Sequence, residues 1–269
     1  MSYYERLRTG TGQRGRLCVG IDPMPSVLDA WGLAHDVDGV ERCARGIVEE
    51  LGERVAVFKP QSAFFEAFGS KGVAVLERVL DDIRDAGALS ILDVKRGDIG
   101  SSMAGYVAAF LGDDAPERAD AITLSPYLGF GSLRPAIDAA VAGGQGLYVL
   151  ARTSNPEGAP VQLARCGEVT VAQHIVDEAR ELNESSAHAI GLVVGGTHGD
   201  LGIDVGGFNG SILVPGIGAQ GGTIESLSAT FGQALRHVLP TASREVIGRG
   251  RSHLHAAAGS LLSAVANFG

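Results

Sequence analysis

The stretch "LSILDVKRGD", residues 89–98, runs from an apolar segment directly into a cluster of charges. Four charged residues lie within six positions at its end: Asp93, Lys95, Arg96 and Asp98. Because side chains alternate along a strand, Asp93 and Lys95 share one face and the apolar residues beside them share the other. Burying unpaired charge is costly, so a charged pair at the end of a buried strand indicates a site.

Seven further apolar runs rich in Val, Ile and Leu resemble this one, and each is closed by Gly, Pro, Asp or Ser. The eight runs are residues 16–23, 55–61, 89–98, 121–129, 146–156, 190–197, 211–222 and 236–244. Helix-period stretches separate most of them, at 38–51, 71–87, 101–111, 162–183 and 251–269. Buried strands alternating with amphipathic helices predict a parallel sheet covered on both faces. Eight units predict a closed (β/α)8 TIM barrel as one domain over 1–269, with a doubly wound open sheet as the alternative.

Two of the eight units are irregular. Pro240 interrupts the last run, and "REVIGRG" at 244–250 competes with it for the eighth strand. The segment "HGDLGIDVGGFNG" at 198–210, after the sixth run, is too short and glycine-rich for a full helix.

Composition excludes several classes of function. The 269 residues are 45% hydrophobic, with a net charge of −9, which argues against a general nucleic-acid or anionic-membrane surface. The sequence predicts no signal peptide and no membrane span. The three cysteines, Cys18, Cys43 and Cys166, lack disulfide or metal spacing, and a reducing cytoplasm fits them best.

Polar residues gather at the predicted C-terminal ends of the strands, where barrel active sites lie. They are Asp22, Lys59, Asp93, Lys95, Ser125, Asn155, Gln220 and Arg244. Alone, the D-x-K-x-x-D pattern of Asp93, Lys95 and Asp98 fits a structural ion pair with a helix cap. Lys59 and Asp22 at the same end complete an alternating array that keeps each member charged, which favours catalysis. Lysine, unlike arginine, can also move a proton.

The last two strands predict a phosphate site. The glycines of "PGIGAQGG", residues 215–222, let backbone N–H groups approach an anion. Arg244 adds a planar guanidinium group that can donate two parallel hydrogen bonds to a phosphate. Arg249 and Arg251 are alternatives to Arg244 as the cations that bind the phosphate. His253 and His255 lie two apart on a helix and face different ways, so a solvated face is favoured over a metal site. The turn from Arg152 to Pro156 is interpreted as structural.

Taken together, these motifs resemble the orotidine 5′-phosphate decarboxylase family, in its branch of longer bacterial chains. The resemblance covers nearly the whole chain. "LDVKRGDIGSS" at 92–102 resembles the family's D-x-K-x-x-D signature, and "FKPQSAFFEAFG" at 58–69 its second-strand lysine. The other matching segments are "GIDPMPSVLDAWGL", "ARTSNP", "VPGIGAQGG" and "SREV".

The resemblance implies cofactor-independent decarboxylation of orotidine 5′-phosphate to uridine 5′-phosphate, the last step of de novo pyrimidine synthesis, in a homodimer with shared active sites and no metal. It implies that Lys95, flanked by Asp93, donates a proton to C6 of the pyrimidine. Lys59 and Asp22 would hold the ribose and Ser125 the pyrimidine ring. Pro215, Gln220 and Arg244 would bind the substrate, the last two at its phosphate. Asp98, Ile99 and Ser102 would come from the partner subunit.

Two alternatives stay open. One is a magnesium-dependent sugar-phosphate decarboxylase or aldolase-like relative that shares the third strand. Such a relative is expected to carry a carboxylate ligand on the second strand, where Lys59 stands. The other is a catalytically silent nucleotide-binding barrel, which the intact charge array does not favour.

Overall fold

A computed structural model of the chain describes residues 1–218 and 221–266. The barrel strands are β1 (Cys18–Ile21), β2 (Val57–Pro60), β3 (Leu89–Arg96), β4 (Ala121–Leu124), β5 (Gly146–Arg152), β8 (Ile190–Val194), β9 (Ile212–Val214) and β10 (Val238–Ala242). These eight parallel strands close into a barrel in the order β1-β10-β9-β8-β5-β4-β3-β2, which confirms the predicted (β/α)8 architecture. The remaining strands, β6 (Arg165–Cys166) and β7 (Val169–Thr170), form a small antiparallel hairpin.

Helices surround the barrel and connect its strands. In chain order they are α1 (Tyr3–Arg14), α2 (Pro25–Trp31), α3 (Val37–Leu51), α4 (Ala63–Glu66), α5 (Gly69–Asp85), α6 (Gly100–Phe110), α7 (Arg134–Gly143), α8 (Ala159–Gln162), α9 (Val171–Asn183), α10 (Ile224–Phe231), α11 (Arg244–Ile247) and α12 (Leu254–Val265). Among the described residues, none of these helices has the length and apolar character needed to cross a bilayer.

Packed side chains fill the barrel from its N-terminal end. Tyr3 of α1 is 2% exposed and meets Tyr148 of β5 edge to face. The Tyr148 hydroxyl donates to Ser211 Oγ at 2.9 Å, and the hydroxyl oxygens of Tyr3 and Tyr148 lie 3.1 Å apart. Gly191 leaves room for this ring, since a Cβ there would lie 2.7 Å from it. Helix α1 therefore closes the base of the barrel, and the open end, the mouth, lies at the C-terminal ends of the strands.

The irregular units have clear physical causes. Pro240 lies within β10, paired with Val214, whereas "REVI" forms α11, so the eighth strand is the first of the two candidates. No helix lies between β8 and β9 within the described residues. Instead Leu201, Val205 and Phe208 of the 198–210 segment bury their side chains in the outer core.

The prediction of one helical stretch over 162–183 was wrong. The β6–β7 hairpin occupies its first part, and a Gly167 with φ +65° makes the turn. Helix α9 begins only after Thr170, whose hydroxyl accepts the N–H of Gln173. Hydrophobic periodicity does not detect such a short hairpin, because its exposed residues fit either structure.

Candidate active site at the barrel mouth

The carboxylate of Asp93 is the centre of a buried charge cluster. Its Oδ2 accepts from Lys59 Nζ at 2.8 Å and from Gln61 Nε2 at 3.1 Å. Its Oδ1 accepts from Lys95 Nζ at 2.6 Å and from Thr123 Oγ1 at 2.8 Å. Four neighbouring donors thus fix the carboxylate in one orientation, with two ammonium groups on opposite oxygens.

Burial and charge act in opposite directions on this cluster. Burial alone would raise the pKa of Asp93, but the charges of Lys59 and Lys95 outweigh it and hold that pKa well below its ordinary range. Burial would likewise lower the pKa of Lys59, and Asp93 and Asp22 reverse the effect and raise it. Both groups are therefore charged throughout the neutral range.

Lys95 differs from Lys59 in exposure and in backbone conformation. The Lys59 side chain is 8% exposed, whereas that of Lys95 is 47% exposed and reaches into the open cavity. Lys95 has a φ of +46°, which is unfavourable for a residue with a Cβ. The pairing of β3 with β4 shifts its register here, between Leu92 and Arg96. Strain of this kind is found preferentially at functional sites.

Thr123 of β4 holds this strained segment in place. Its hydroxyl accepts the backbone N–H of Lys95 at 2.9 Å and donates to Asp93 Oδ1 at 2.8 Å. Thr123 is 1% exposed. One hydroxyl therefore connects the backbone of the exposed lysine to the carboxylate that its ammonium group contacts.

A cavity of about 560 Å³ opens above the cluster. The predicted residues that line it are Asp22, Lys59, Asp93, Lys95, Asn155, Pro215 and Arg244. The buried Oδ1 of Asp22 has no hydrogen-bond partner among the described residues, so it presents an acceptor to a ligand. Arg244 is the first residue of α11, directly beyond β10, and gives the cavity a cation on the side away from Lys95.

Four of the other predicted residues do not line this cavity: Ser125, Asp98, Ile99 and Ser102. The N–H of Ser125 donates to the carbonyl oxygen of Arg96 at 2.8 Å, so Ser125 lies beside the bulged end of β3. Asp98 Oδ1 accepts from the N–H of Ile99 at 2.8 Å. Ile99 is 62% exposed, and Ser102 is exposed on α6. Gln220 lies outside the described residues.

The rival cations and the histidines lie elsewhere. Arg251 pairs with Glu49 and Glu50 on the outside of the barrel, and His255 Nε2 lies 2.8 Å from Glu50 Oε2. Arg249 does not line the cavity. Across residues 1–218 and 221–266, no three His, Cys, Asp or Glu side chains are grouped closely enough to hold a metal ion.

Sequence reasoning missed six polar residues of the cavity: Gln61, Thr123, Thr153, Ser154, Thr241 and Ser243. Strand alternation contains the signal for two of them. Gln61 is two residues after Lys59, and Thr123 is two residues before Ser125, so each shares the face of a residue already selected. Ser154 lies in the "RTSNP" turn that was interpreted as structural.

The fold and the site together define a (β/α)8-barrel enzyme with a lysine–aspartate array at its mouth. The chain belongs to the orotidine 5′-phosphate decarboxylase / HUMPS family, whose model matches residues 15–257. It is 54% identical over 252 residues to the orotidine 5′-phosphate decarboxylase of Salinispora arenicola, covering 93% of this chain and 91% of that one. The enzyme of the same name from Streptomyces coelicolor is 54% identical over 250 residues, covering 91% and 89%.

Solved structures agree in fold. A Streptomyces avermitilis crystal structure with 48% sequence identity superposes with a TM-score of 0.92, covering 98% of this chain and 95% of that one. The OMP decarboxylase of Leishmania donovani, at 29% identity, has a TM-score of 0.82 and covers 100% and 99%. These matches extend over the whole barrel, including the charged mouth.

Proposed function

We propose that this chain decarboxylates orotidine 5′-phosphate to uridine 5′-phosphate without a cofactor, in pyrimidine biosynthesis. The observation that carries the proposal is the cluster of Lys59, Asp93 and Lys95 at the mouth, in which a half-exposed ammonium group contacts a buried carboxylate that is charged in the neutral range. Family membership and the curated relatives support the same reaction.

The proposed chemistry follows from this charge arrangement. Breaking the bond from C6 of the pyrimidine to the carboxylate releases CO2 and leaves the electron pair on C6. An ammonium group held beside C6 stabilises this charge, because it is already oriented before the reaction begins. Lys95 then gives its proton to C6, which completes the product, and regains a proton from solvent. Asp93 lies against the departing carboxylate, and its hydrogen bond with the ammonium group holds Lys95 in position.

Substrate binding is assigned to the rest of the cavity. We propose that Lys59 and the unpaired Asp22 Oδ1 bind the ribose hydroxyls. Arg244 binds the phosphate together with the loop that begins at Pro215, where Gly216 has a φ of +101°. Gln220 of that loop is assigned to the phosphate by sequence resemblance alone. Binding energy from the phosphate helps to hold the reacting carbon against Lys95.

The contact to the pyrimidine ring is reassigned. Ser125 was expected there, but Ser154 lines the cavity and Ser125 does not. We therefore propose that Ser154, in the turn after β5, contacts the ring. Substituting Ser154 by Ala is expected to weaken substrate binding more than substituting Ser125.

A homodimer with shared active sites accounts for the remaining predicted residues. None of Asp98, Ile99 and Ser102 lines this chain's own cavity, and Ile99 is 62% exposed, so these residues are accessible to a second subunit. We propose that these residues complete the cavity of a second subunit. A nucleotide is the expected small-molecule ligand, and the cytoplasm is the expected location.

One assay tests the function. Purified protein is mixed with orotidine 5′-phosphate in the presence of EDTA, and loss of the orotate absorbance is followed. Turnover under EDTA supports the cofactor-independent reaction. Turnover that appears only with added Mg²⁺ would favour the magnesium-dependent relative, and uridine 5′-phosphate binding without turnover would favour the silent barrel.

A further inference from the structure

A second cavity lies at the opposite end of the barrel from the mouth. It has a volume of about 470 Å³ and lies between α1 and the starts of β1, β9 and β10. Its polar lining is Tyr4, Arg8, Thr11, Arg16, Ser211, Arg236 and His237. Three arginines and a histidine thus converge on one space, and the described lining contains no aspartate or glutamate.

These cations are not neutralised by the protein around them. Within residues 1–218 and 221–266, Arg8, Arg16 and Arg236 form no ion pair with a carboxylate within 4.0 Å. Arg16 is half-buried, and its guanidinium donates to the carbonyl oxygen of Leu235 at 3.1 Å. The chain carries 31 acidic and 22 basic residues, so a carboxylate-free cluster of arginines departs from its general composition.

His237 lies in direct contact with one of these arginines. Its Nε2 accepts the Nε–H of Arg236 at 3.0 Å, so the neutral ring directs its Nδ1–H to the hydroxyl of Tyr4, 3.2 Å away. Burial, followed by the charges of Arg236 and Arg16, lowers the pKa of His237 to about 4. His188 and Arg8 act in the same direction.

We propose that this basal cavity, defined by Arg8, Arg16, Arg236 and His237, binds a multiply charged phosphate-type anion. Planar guanidinium forks match phosphate oxygens in geometry and charge. The half-buried position of Arg16 keeps part of the site away from bulk water, which strengthens each contact. The site is separate from the reaction at the mouth and does not depend on it.

The bound anion would also link parts of the chain that are distant in sequence. Arg8 belongs to α1, Arg16 precedes β1, and Arg236 precedes β10. An anion that contacts all three fastens the N-terminal helix to the base of the barrel. Because such a ligand binds only the folded chain, it raises the midpoint of thermal unfolding.

The test uses the full chain with its mouth saturated by uridine 5′-phosphate, and inorganic pyrophosphate as the probe. The pKa of His237 is followed by NMR of its imidazole ring, and thermal unfolding is measured in parallel, with sodium chloride matching the ionic strength. In the wild type, pyrophosphate should raise the pKa of His237 from about 4, because it offsets the arginine charges. Arg8→Gln and Arg236→Gln should each weaken pyrophosphate binding about tenfold.

Arg134→Gln is the matched control, since it removes one exposed positive charge on α7, far from the base. It should bind pyrophosphate as the wild type does. An unchanged His237 pKa in the wild type would overturn the proposal. So would equal affinity in the Arg8 and Arg236 variants, or pyrophosphate binding that is observed only when uridine 5′-phosphate is omitted, which would place the anion at the mouth. Circular dichroism confirms that each variant is folded.

Discussion

Replacing Thr123 by Val tests whether the hydroxyl between Lys95 and Asp93 positions the proton donor. Valine keeps the branched shape but removes the donor to Asp93 Oδ1 and the acceptor of the Lys95 N–H. Lys95 would then keep its φ of +46° without the contact that fixes it. We expect kcat to fall while the KM for orotidine 5′-phosphate changes little, because Thr123 acts through Lys95 and Asp93.

The size of the effect follows from the lost contacts. A hydrogen bond to a charged group is worth about 1.5–3 kcal/mol. If that energy serves only to hold the reacting geometry, kcat falls about 10- to 150-fold, at about 1.4 kcal/mol for each factor of ten. Asp93 retains three other donors, so its charge survives and the loss stays well short of complete inactivation.

The assay follows orotate absorbance at saturating substrate, with thermal unfolding measured on the same samples. Thr123→Ser is the control, because it restores the hydroxyl and should recover most of the activity. Wild-type kcat in Thr123→Val would refute the positioning role. Equal losses in Thr123→Ser and Thr123→Val would show that the methyl group, through packing, matters instead.

Four further outcomes are expected. Lys95→Ala should lower kcat by about 10²–10⁴-fold with folding intact, and near-normal turnover would exclude proton donation by this residue. Arg244→Ala should lower kcat/KM for the nucleotide about a hundredfold yet barely affect the unphosphorylated nucleoside; equal losses would point to a role in folding. Lys95→Ala and Asp98→Ala chains, refolded together, should regain about a quarter of the active sites, and mixed dimers without activity would place Asp98 in its own subunit's site. Because the pKa of Asp93 is lower in the folded chain than in the unfolded one, its stabilisation is complete above about pH 5 and is lost progressively as the pH falls through about 4 towards the folded pKa. Urea unfolding should therefore show the stability gap between wild type and Asp93→Asn narrowing as the pH falls below about 4, whereas a constant gap would contradict this.

Sequence patterns predicted the barrel because each strand is a buried apolar run between helices, and burial is what hydrophobic patterns report. The same logic located Asp93, Lys95, Lys59 and Asp22, since charged residues at the ends of such runs are conspicuous. The hairpin formed by β6 and β7 was not predictable in this way, because it is short and exposed.

Ser125 and Thr123 show the limit of the method at the site. Both lie on the inward face of β4 by alternation, and the sequence offers no means of choosing between them. The choice is made by the register shift at Lys95, which brings Arg96 beside Ser125 and leaves Thr123 facing the cavity. A backbone irregularity of this kind depends on contacts between strands that no single-strand pattern contains.

The closed base of the barrel has a consequence for the movement of reactants. The interior at that end is filled by Tyr3, Tyr148 and Ser211. In the described part of the chain, the barrel interior is therefore open only at the mouth. Under the proposed reaction, substrate enters and both carbon dioxide and the nucleotide product leave through the same mouth. Because Lys95 faces that opening, both products must clear it before the next substrate can reach the lysine.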